Sequence, residues 1–259
     1  MRIARFTTGE EPTYGVVGGA DDDEIVASLV GDPLYRGIEL TGDQHPLADV
    51  RLLAPVIPRS KVIGVGRNYV AHAAELGNEV PGEPLVFLKP NTSVIGPFDP
   101  IVYPPQSSEV HFEGELAVVI GRICRDVPVG SVDDVIFGYT VANDVTARDL
   151  QKTDGQWARA KGFDSFCPLG PWIETSLDPS DVLVSTTLNG EPRQSASTSL
   201  MVRNVPEIIA YVSSFMTLLP GDVIATGTPE GVGPMVPGDE VSVTVAGVGT
   251  LTNRVVPRD

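Results

Sequence analysis

Residues 108–121, SEVHFEGELAVVIG, predict the central strand of the fold. The segment first alternates between polar and apolar side chains and then runs into five apolar residues, Leu116 to Ile120, which is typical of a strand buried on both faces. Successive side chains point to opposite faces, so Glu113 and Glu115 share one face, roughly 7 Å apart. Buried carboxylates repel each other and lose hydration, and a divalent cation would remove both penalties. The strand therefore predicts a cation site, although a lone Glu-x-Glu pair is more often a solvated strand edge.

The amino-acid composition argues against several classes of binding partner. The 259 residues include 18 Lys+Arg and 34 Asp+Glu, a formal net charge of −16, which argues against nucleic acid and anionic membranes. No run approaches the 18 or so apolar residues of a membrane span, and the first residues, MRIARFTTGE, lack the apolar part of a signal peptide. Cys124 and Cys167 match no paired motif and are expected to be small buried side chains. A cytoplasmic location is the resulting expectation.

Glycine, proline and hydrophobic patterning predict two units. The 27 Gly and 23 Pro favour many short strands over long helices. Residues 1–58 contain short strand patterns separated by turns, including the acidic run Asp21–Glu24, and predict a small N-terminal β domain. The segment Ala54–Pro58 suits neither a helix nor a central strand, so the boundary is placed there. Residues 59–259 are expected to form the larger domain.

Within the larger domain the patterns predict strands at 61–66, 84–90 and 136–143 and a hairpin at Asn189-Gly190. The apolar stripe over Val205–Leu219 predicts the clearest amphipathic helix. Val145–Trp157 is expected to form a second helix, with Asp144 or Thr146 at its N-terminus. Lys161 falls in ARAKGFDSFCPLGP, which is expected to be a loop, and such loops are often functional.

A short helical segment carries a candidate acid–base pair. His72 and Glu75 are three residues apart in VAHAAEL, so they share a helix face. The polar Gly77–Pro84 segment that follows has the composition of a mobile flap. The alternative is that the two residues are an exposed surface pair.

A third carboxylate completes a candidate metal site. Asp144 lies at a strand end, where side chains commonly reach a site, although helix capping is an equal alternative. Glu113, Glu115 and Asp144 would supply oxygen ligands without a Cys or His cluster, which favours Mg²⁺, Mn²⁺ or Ca²⁺ over Zn²⁺. Such an ion would let an acidic protein bind a chelating anion.

Six motifs together resemble the fumarylacetoacetate hydrolase superfamily, in family order over roughly residues 60–257. The resemblance is to its acylpyruvase and 2-hydroxyhepta-2,4-diene-1,7-dioate isomerase branch. It implies an α+β, β-rich fold, a mixed β-sandwich roll, and a homodimer. The motifs are GRNYVAHAAE (66–75), PLVFLKP (84–90), HFEGELAVVIG (111–121), NDVTARDLQ (143–151), ARAKGFDSFCPLGP (158–171) and GDVIATGTPEGVG (221–233).

The resemblance also implies roles for residues of this chain. Glu113, Glu115 and Asp144 would bind Mg²⁺ first of all, or Mn²⁺ or Ca²⁺. The flap dyad His72 and Glu75 would be catalytic together with Lys161. Four further positions match residues near the substrate: Lys89, Arg148, Gln151 and Thr228.

The function these expectations predict is a metal-dependent enzyme acting on small 2-oxo acids in aromatic-compound or central carboxylate breakdown. Its chemistry supports isomerisation of a hydroxy-dienedioate, hydrolysis of an acylpyruvate, or decarboxylation, including that of oxaloacetate. The rival from another class is a cation-binding β-sandwich module without turnover. The flap dyad favours the enzyme, because a structural ion site has no need of it.

Overall fold

The computed structural model describes residues 1–19 and 23–258, so Asp21 and Asp22 of the predicted acidic turn lie outside the described residues. Strands account for most of the regular structure. They are β1 (Arg2–Thr7), β2 (Thr13–Gly18), β3 (Ile25–Leu29), β4 (Leu40–Pro46), β5 (Arg51–Leu53), β6 (Val62–Gly66), β7 (Leu85–Lys89), β8 (Val94–Ile95), β9 (Ile101–Tyr103), β10 (Val110–Phe112), β11 (Gly114–Ile120), β12 (Ile136–Asn143), β13 (Thr146–Ala147), β14 (Cys167–Glu174), β15 (Leu183–Leu188), β16 (Glu191–Ser197), β17 (Val223–Ala225), β18 (Gly233–Met235), β19 (Glu240–Val245) and β20 (Gly249–Pro257).

The helices are short. They are α1 (Pro33–Arg36), α2 (Val70–Glu75), α3 (Arg148–Thr153), α4 (Ala158–Lys161) and α5 (Val205–Phe215). Short 3-10 turns span Leu47–Asp49, Asn91–Ser93, Val129–Asp134 and Thr198–Leu200.

The predicted helix at 205–219 is present as α5, but it ends four residues early. Asn204 and Glu207 form a reciprocal capping box at its start, which satisfies free N–H groups there. Met216 adopts an extended conformation (φ −129°, ψ 131°), and Leu218 then pairs with Cys124 in an isolated bridge. Tertiary pairing therefore ends the helix before its apolar pattern does.

The predicted helix at 145–157 is wrong over its first residues. Thr146 and Ala147 form β13, which pairs with His111 and Val110 of β10. The helix α3 starts only at Arg148, and Gly155, with φ +65°, separates it from α4. The expected loop around Lys161 is also wrong at its start, because Lys161 ends α4.

The main sheet has the order β4-β3-β2-β1-β14-β12-β11-β17-β6-β7, with β5 on β1 and β8 on β14. The N-terminal strands β1–β5 are part of this sheet, because Arg2 and Ile3 of β1 pair with Glu174 and Ile173 of β14. The small N-terminal β unit is thus built onto the edge of the larger one. The boundary after residue 58 stays a prediction.

A second sheet, β16-β15-β19-β20-β9, packs on the main sheet, and a small sheet, β13-β10-β18, lies beside them. Leu116 and Val118 of β11 share one apolar cluster with Val184 and Val243 of the second sheet and Ile208 of α5. The alternate residues of β11, Ala117 and Val119, belong to a cluster on the opposite face of the main sheet. The predicted β-rich α+β sandwich, with β11 buried on both faces, is confirmed.

The hairpin predicted at Asn189-Gly190 joins β15 to β16, and both residues have positive φ (54° and 80°), as a two-residue hairpin turn requires. Across the described residues, the helices are all too short or too polar to cross a membrane.

Candidate metal and catalytic site

Three carboxylates meet where β10, β11 and β12 come together. Glu113 lies in the break between β10 and β11, Glu115 lies on β11, and Asp144 directly follows β12. The break is held by two hydrogen bonds: the Asp144 N–H donates to the Glu113 carbonyl oxygen (2.8 Å), and the Glu113 N–H donates to the Asn143 side-chain oxygen (2.9 Å). All three carboxylates are buried, and one oxygen of each lies within 4.8 Å of the others. This spacing suits oxygen ligands around one ion.

Three cationic side chains surround these carboxylates. Lys161 Nζ donates to Glu113 (2.8 Å) and to Asp144 (2.5 Å). Lys89 Nζ donates to the other Asp144 oxygen (2.5 Å), and Arg148 donates to Glu113 (2.5 Å). All three cations are buried. In the described part of the chain, Glu115 differs from the other two carboxylates because its hydrogen bond comes from a backbone group, the Gly227 N–H (2.7 Å).

The pKa values of the cluster follow from this arrangement. Burial alone would raise the pKa of Glu113, but Lys161 and Arg148 outweigh burial and hold it below its usual range. Burial, together with the negative charges of Asp144 and Glu113, raises the pKa of Glu115 well above its usual value. Burial would lower the pKa of Lys161, yet Asp144 and Glu113 raise it, so Lys161 stays protonated. A divalent cation beside Glu115 would relieve its repulsion, and the oxygen-only donor set fits Mg²⁺ or Mn²⁺.

The flap dyad lies over this cluster on α2. His72 is buried, and burial lowers its pKa, which keeps the imidazole neutral at pH 7. Its Nδ1 atom is 3.5 Å from a Glu75 carboxylate oxygen. That carboxylate also accepts the Gly231 N–H at 3.1 and 3.2 Å, which ties the helix to the loop between β17 and β18. The two residues share a helix face as predicted, with His72 facing inward and Glu75 at the rim.

A cavity of about 310 Å³ connects the cluster to the surface. Five buried residues line it: Glu113, Glu115, Asp144, His72 and Lys161. The wall also includes residues that the sequence did not single out: Val65, Gly66, Arg67, Leu76, Asn78, Phe87, Lys152 and Trp157. A buried, partly polar pocket of this size suits a small acid.

Of the four residues predicted to lie near the substrate, three line the cavity and one does not. Arg148, Gln151 and Thr228 line the cavity. Gln151 accepts a hydrogen bond from Arg148 (2.7 Å) and so orients it. Lys89 lies behind Asp144 and donates to Asp144 and to the Val145 carbonyl oxygen (3.3 Å), away from the cavity wall. The roles assigned to these residues stay predictions.

Gln194 of β16 was missed by the sequence interpretation and supports the site from behind. Its side-chain oxygen accepts the Gly114 N–H (3.0 Å), and its nitrogen donates to Thr228 Oγ1 (2.7 Å) and the Pro229 carbonyl oxygen (2.8 Å). Thr228 Oγ1 donates in turn to the Gly114 carbonyl oxygen (2.9 Å). Gly114 has no room for a side chain, since a Cβ atom would lie 2.2 Å from Thr186 Oγ1.

Asp144 does not cap the helix that follows it. The residue at the start of α3 is Ala147, which makes no side-chain capping bond, and both Asp144 oxygens bind lysines. The alternative capping role is therefore excluded by the geometry.

Sequence and structure comparisons place the chain among known proteins. The fumarylacetoacetate (FAA) hydrolase C-terminal family matches residues 61–256, and the Rv2993c-like N-terminal family matches residues 1–55. The crystal structure of 5-carboxymethyl-2-hydroxymuconate delta-isomerase from Mycobacterium smegmatis is 52% identical, with both chains covered completely and a TM-score of 0.93.

Two further relatives bear on the chemistry. Mitochondrial oxaloacetate tautomerase Fahd2a of Rattus norvegicus is 45% identical over 82% of this chain and 71% of its own length. A crystal structure of fumarylpyruvate hydrolase from Pseudomonas aeruginosa in complex with Mn²⁺ and pyruvate is 36% identical over 80% of this chain and 92% of that one, with a TM-score of 0.74. The chain belongs to the fumarylacetoacetate hydrolase family.

Proposed function

We propose that this chain, as a member of that family, transfers a proton at C3 of a 2-oxo acid and so interconverts its enol and keto forms, with Mg²⁺ or Mn²⁺ at Glu113, Glu115 and Asp144. The observation that carries the proposal is the charge balance of the buried cluster. The site holds three carboxylates and three cationic side chains, so its formal charge is zero when all six groups are ionised, as they would be around a bound cation. When bound, a divalent cation would supply two positive charges and Lewis acidity toward adjacent carboxylate and oxo groups. A 2-oxo acid that has lost its C3 proton carries two negative charges, one on its carboxylate and one on its enolate oxygen. These match the two positive charges of the cation.

His72 is the group placed to move the proton. It lines the cavity beside the cluster, and its lowered pKa leaves a neutral imidazole that accepts a proton at pH 7. Glu75, held by the Gly231 N–H, lies on the Nδ1 side of the ring and stabilises the protonated form. Return of the same proton to a different position of the substrate completes an isomerisation.

The buried cations hold the site in place. Lys161 and Arg148 fix Glu113, and Lys89 and Lys161 fix Asp144, so these carboxylates need little reorganisation when charge develops on the substrate. Lys161 also lines the cavity as a protonated donor, which places a positive charge beside the substrate oxygens.

Isomerisation is favoured over carbon–carbon hydrolysis for two reasons. Hydrolysis needs a base for water and an acid for the departing carbon, whereas isomerisation needs one group that takes and returns a proton. The relatives named as an isomerase and a tautomerase are 52% and 45% identical to this chain, and the solved structures named as hydrolases are 36% to 41% identical. Acylpyruvate hydrolysis and oxaloacetate decarboxylation are the alternatives.

Product analysis by NMR distinguishes these reactions. The purified protein with Mg²⁺ or Mn²⁺ would be given oxaloacetate, an acylpyruvate and a hydroxy-dienedioate in D₂O. The proposal predicts deuterium at C3 or enol–keto conversion, with no new carboxylic acid fragment and no CO₂ above the uncatalysed rate. His72→Asn should remove the exchange, and His45→Asn, in the N-terminal β unit, should not. Pyruvate release would favour hydrolysis or decarboxylation, and no reaction with any substrate would favour a binding module.

A further inference from the structure

Part of the cavity wall differs in character from the carboxylate cluster. This part is apolar and is formed by half-buried side chains: Leu76 after α2, Phe87 of β7 and Trp157 before α4. Arg67 and Lys152 also line the cavity, and both are more exposed than the buried cations of the cluster. The site thus offers apolar surface and positive charge in addition to the carboxylate cluster.

A row of contacts along this wall joins Lys161 to the backbone beside Arg67. Lys161 Nζ lies 4.8 Å from the centre of the Phe87 ring, and Phe87 packs edge-on against Trp157 with ring centres 5.5 Å apart. The Trp157 ring covers Gly66 so closely that a Cβ there would lie 2.9 Å from it. Arg67 directly follows Gly66, so this row of contacts through the two aromatic rings ends at the backbone beside Arg67.

The backbone of Arg67 is held in an unfavourable conformation. Its φ of +57° lies in the left-handed region, which side chains with a Cβ rarely adopt. The next residues hold it there: the Asn68 side chain binds the Arg203 N–H (2.8 Å) and the carbonyl oxygens of Arg203 and Thr226 (2.9 and 2.8 Å). A conformation that the surroundings impose in this way is most common where it serves a site.

Arg67 also has no charged partner in the structure. Within residues 1–19 and 23–258, no carboxylate oxygen lies within 4.0 Å of its guanidinium, whereas Arg148 in the same cavity is paired with Glu113. Lys152 lies 3.4 Å from a Glu109 oxygen, which partly balances its charge. Arg67 is therefore the cavity cation with an uncompensated charge and planar donors suited to a carboxylate.

We infer that Arg67 binds a carboxylate at the far end of the substrate and so makes the site selective for 2-oxo acids that carry a second, terminal carboxylate. The inference rests on the proposed function, since it assumes that the 2-oxo acid end lies at the carboxylate cluster. The substrate chain would then pack on Phe87 and Trp157. Arg67 is the specificity-determining residue, and Lys152 adds a weaker, exposed charge.

Matched pairs of acids test the inference by binding rather than turnover. Isothermal titration of the Mg²⁺-loaded protein would compare acids that differ only in the terminal group: oxaloacetate with 2-oxobutyrate, 2-oxoglutarate with 2-oxopentanoate, and 2-oxoadipate with 2-oxohexanoate. For at least one pair the wild type should bind the dianion more tightly. Arg67→Gln should reduce that preference about 10- to 100-fold, the range for a lost charge-assisted hydrogen bond, with the monoanion affinity unchanged.

Two control variants complete the design. Arg67→Lys keeps the charge and should retain part of the preference. Arg159→Gln removes an exposed arginine that pairs with Asp154 outside the cavity, and it should change nothing. Equal weakening of both acids by Arg67→Gln, or an unchanged preference, would overturn the inference. If the wild type binds both acids of every pair equally and still exchanges C3 protons, the inference fails while the proposed function stands; if it binds none of them, both fail.

Discussion

Glu115 is the residue on which the chemistry of the site depends most. Glu113 and Asp144 each bind two buried cations, but Glu115 receives a single backbone N–H among the described residues. Burial and its two acidic neighbours raise its pKa. A carboxylate in this position disfavours the folded, metal-free protein at pH 7, because folding raises the pKa and so opposes ionisation.

Glu115→Gln should therefore stabilise the metal-free protein. The amide oxygen can still accept the Gly227 N–H, and the like-charge repulsion disappears. In excess EDTA we expect the variant to melt a few degrees above the wild type, because about 1 kcal/mol corresponds to about 2–4 °C for a chain near this size. The wild type should gain stability when Mg²⁺ is added, and the variant should not. If the variant melts at a lower temperature than the wild type in EDTA, the buried Glu115 carboxylate does not destabilise the metal-free protein.

His72→Asn should reduce kcat about 10²- to 10⁴-fold, because the site loses its proton acceptor. The affinity for Mn²⁺, measured by titration calorimetry, should change much less than kcat, since His72 lies outside the group of three carboxylates that could hold the ion. Equal loss of Mn²⁺ affinity and kcat would instead make His72 part of the metal site. His45→Asn is the matched control, because His45 lies in the N-terminal β unit against Phe6.

At the residue scale, the sequence predicted the three carboxylates because each has a local signal. Glu113 and Glu115 alternate before an apolar run, and Asp144 follows a strand. The sequence and the family resemblance also pointed to Lys89 and Lys161, but not to their pairing with Asp144, because both lysines reach it from other parts of the chain. Gln194, which binds the Gly114 backbone, was missed for the same reason. Arg67 was passed over because nothing local distinguishes an unpaired arginine from a surface one.

At the scale of elements, the edge strand β16 supports the metal loop, by which we mean the backbone of residues 113–115 that carries two of the predicted metal ligands. Gln194 on β16 binds both Gly114, between the two glutamates, and Thr228 in the loop after β17. The second sheet therefore ties the backbone between Glu113 and Glu115 to the loop that carries Thr228.

Gln194→Leu should lower both stability and metal affinity. The change leaves the buried Gly114 N–H without its acceptor, which costs roughly 1–3 kcal/mol. Denaturant unfolding should report that loss in the presence of EDTA, and the Mn²⁺ Kd should rise, because the backbone between the ligands is no longer held. Gln156→Leu, at an exposed position, is the control. If the variant loses stability with an unchanged Mn²⁺ Kd, Gln194 supports the fold and not the metal loop.

Strands and α5 were predicted well where the local hydrophobic pattern and the tertiary contacts favour the same structure. The prediction failed where the two favour different structures. The 145–157 segment has helical composition, but pairing of Thr146 with His111 keeps its start extended. The same pairing aims Asp144 into the cluster. There, strand pairing between two residues 35 positions apart overrides the local helix propensity. A pattern of neighbouring residues carries no information about such a pairing.

At the scale of the whole molecule, we expect a homodimer, as the family resemblance implies. The structure exposes several large apolar side chains, among them Phe98 (75% exposed) and Ile123 (70% exposed), which an interface would cover. Light scattering after size exclusion should give twice the 27.4 kDa of one chain at micromolar concentration. A mass of one chain would count against the expectation and leave the site within one chain unaffected.

The most direct test of the account is the rate of oxaloacetate enol–keto conversion, followed by ultraviolet absorbance, as the metal is removed and returned. We predict that the Mg²⁺-loaded protein accelerates the conversion, that EDTA abolishes the acceleration while the protein stays folded by circular dichroism, and that added Mn²⁺ restores it. An acceleration that persists in EDTA, in a protein shown to be free of divalent metal, would contradict the proposal that Glu113, Glu115 and Asp144 act through a bound cation.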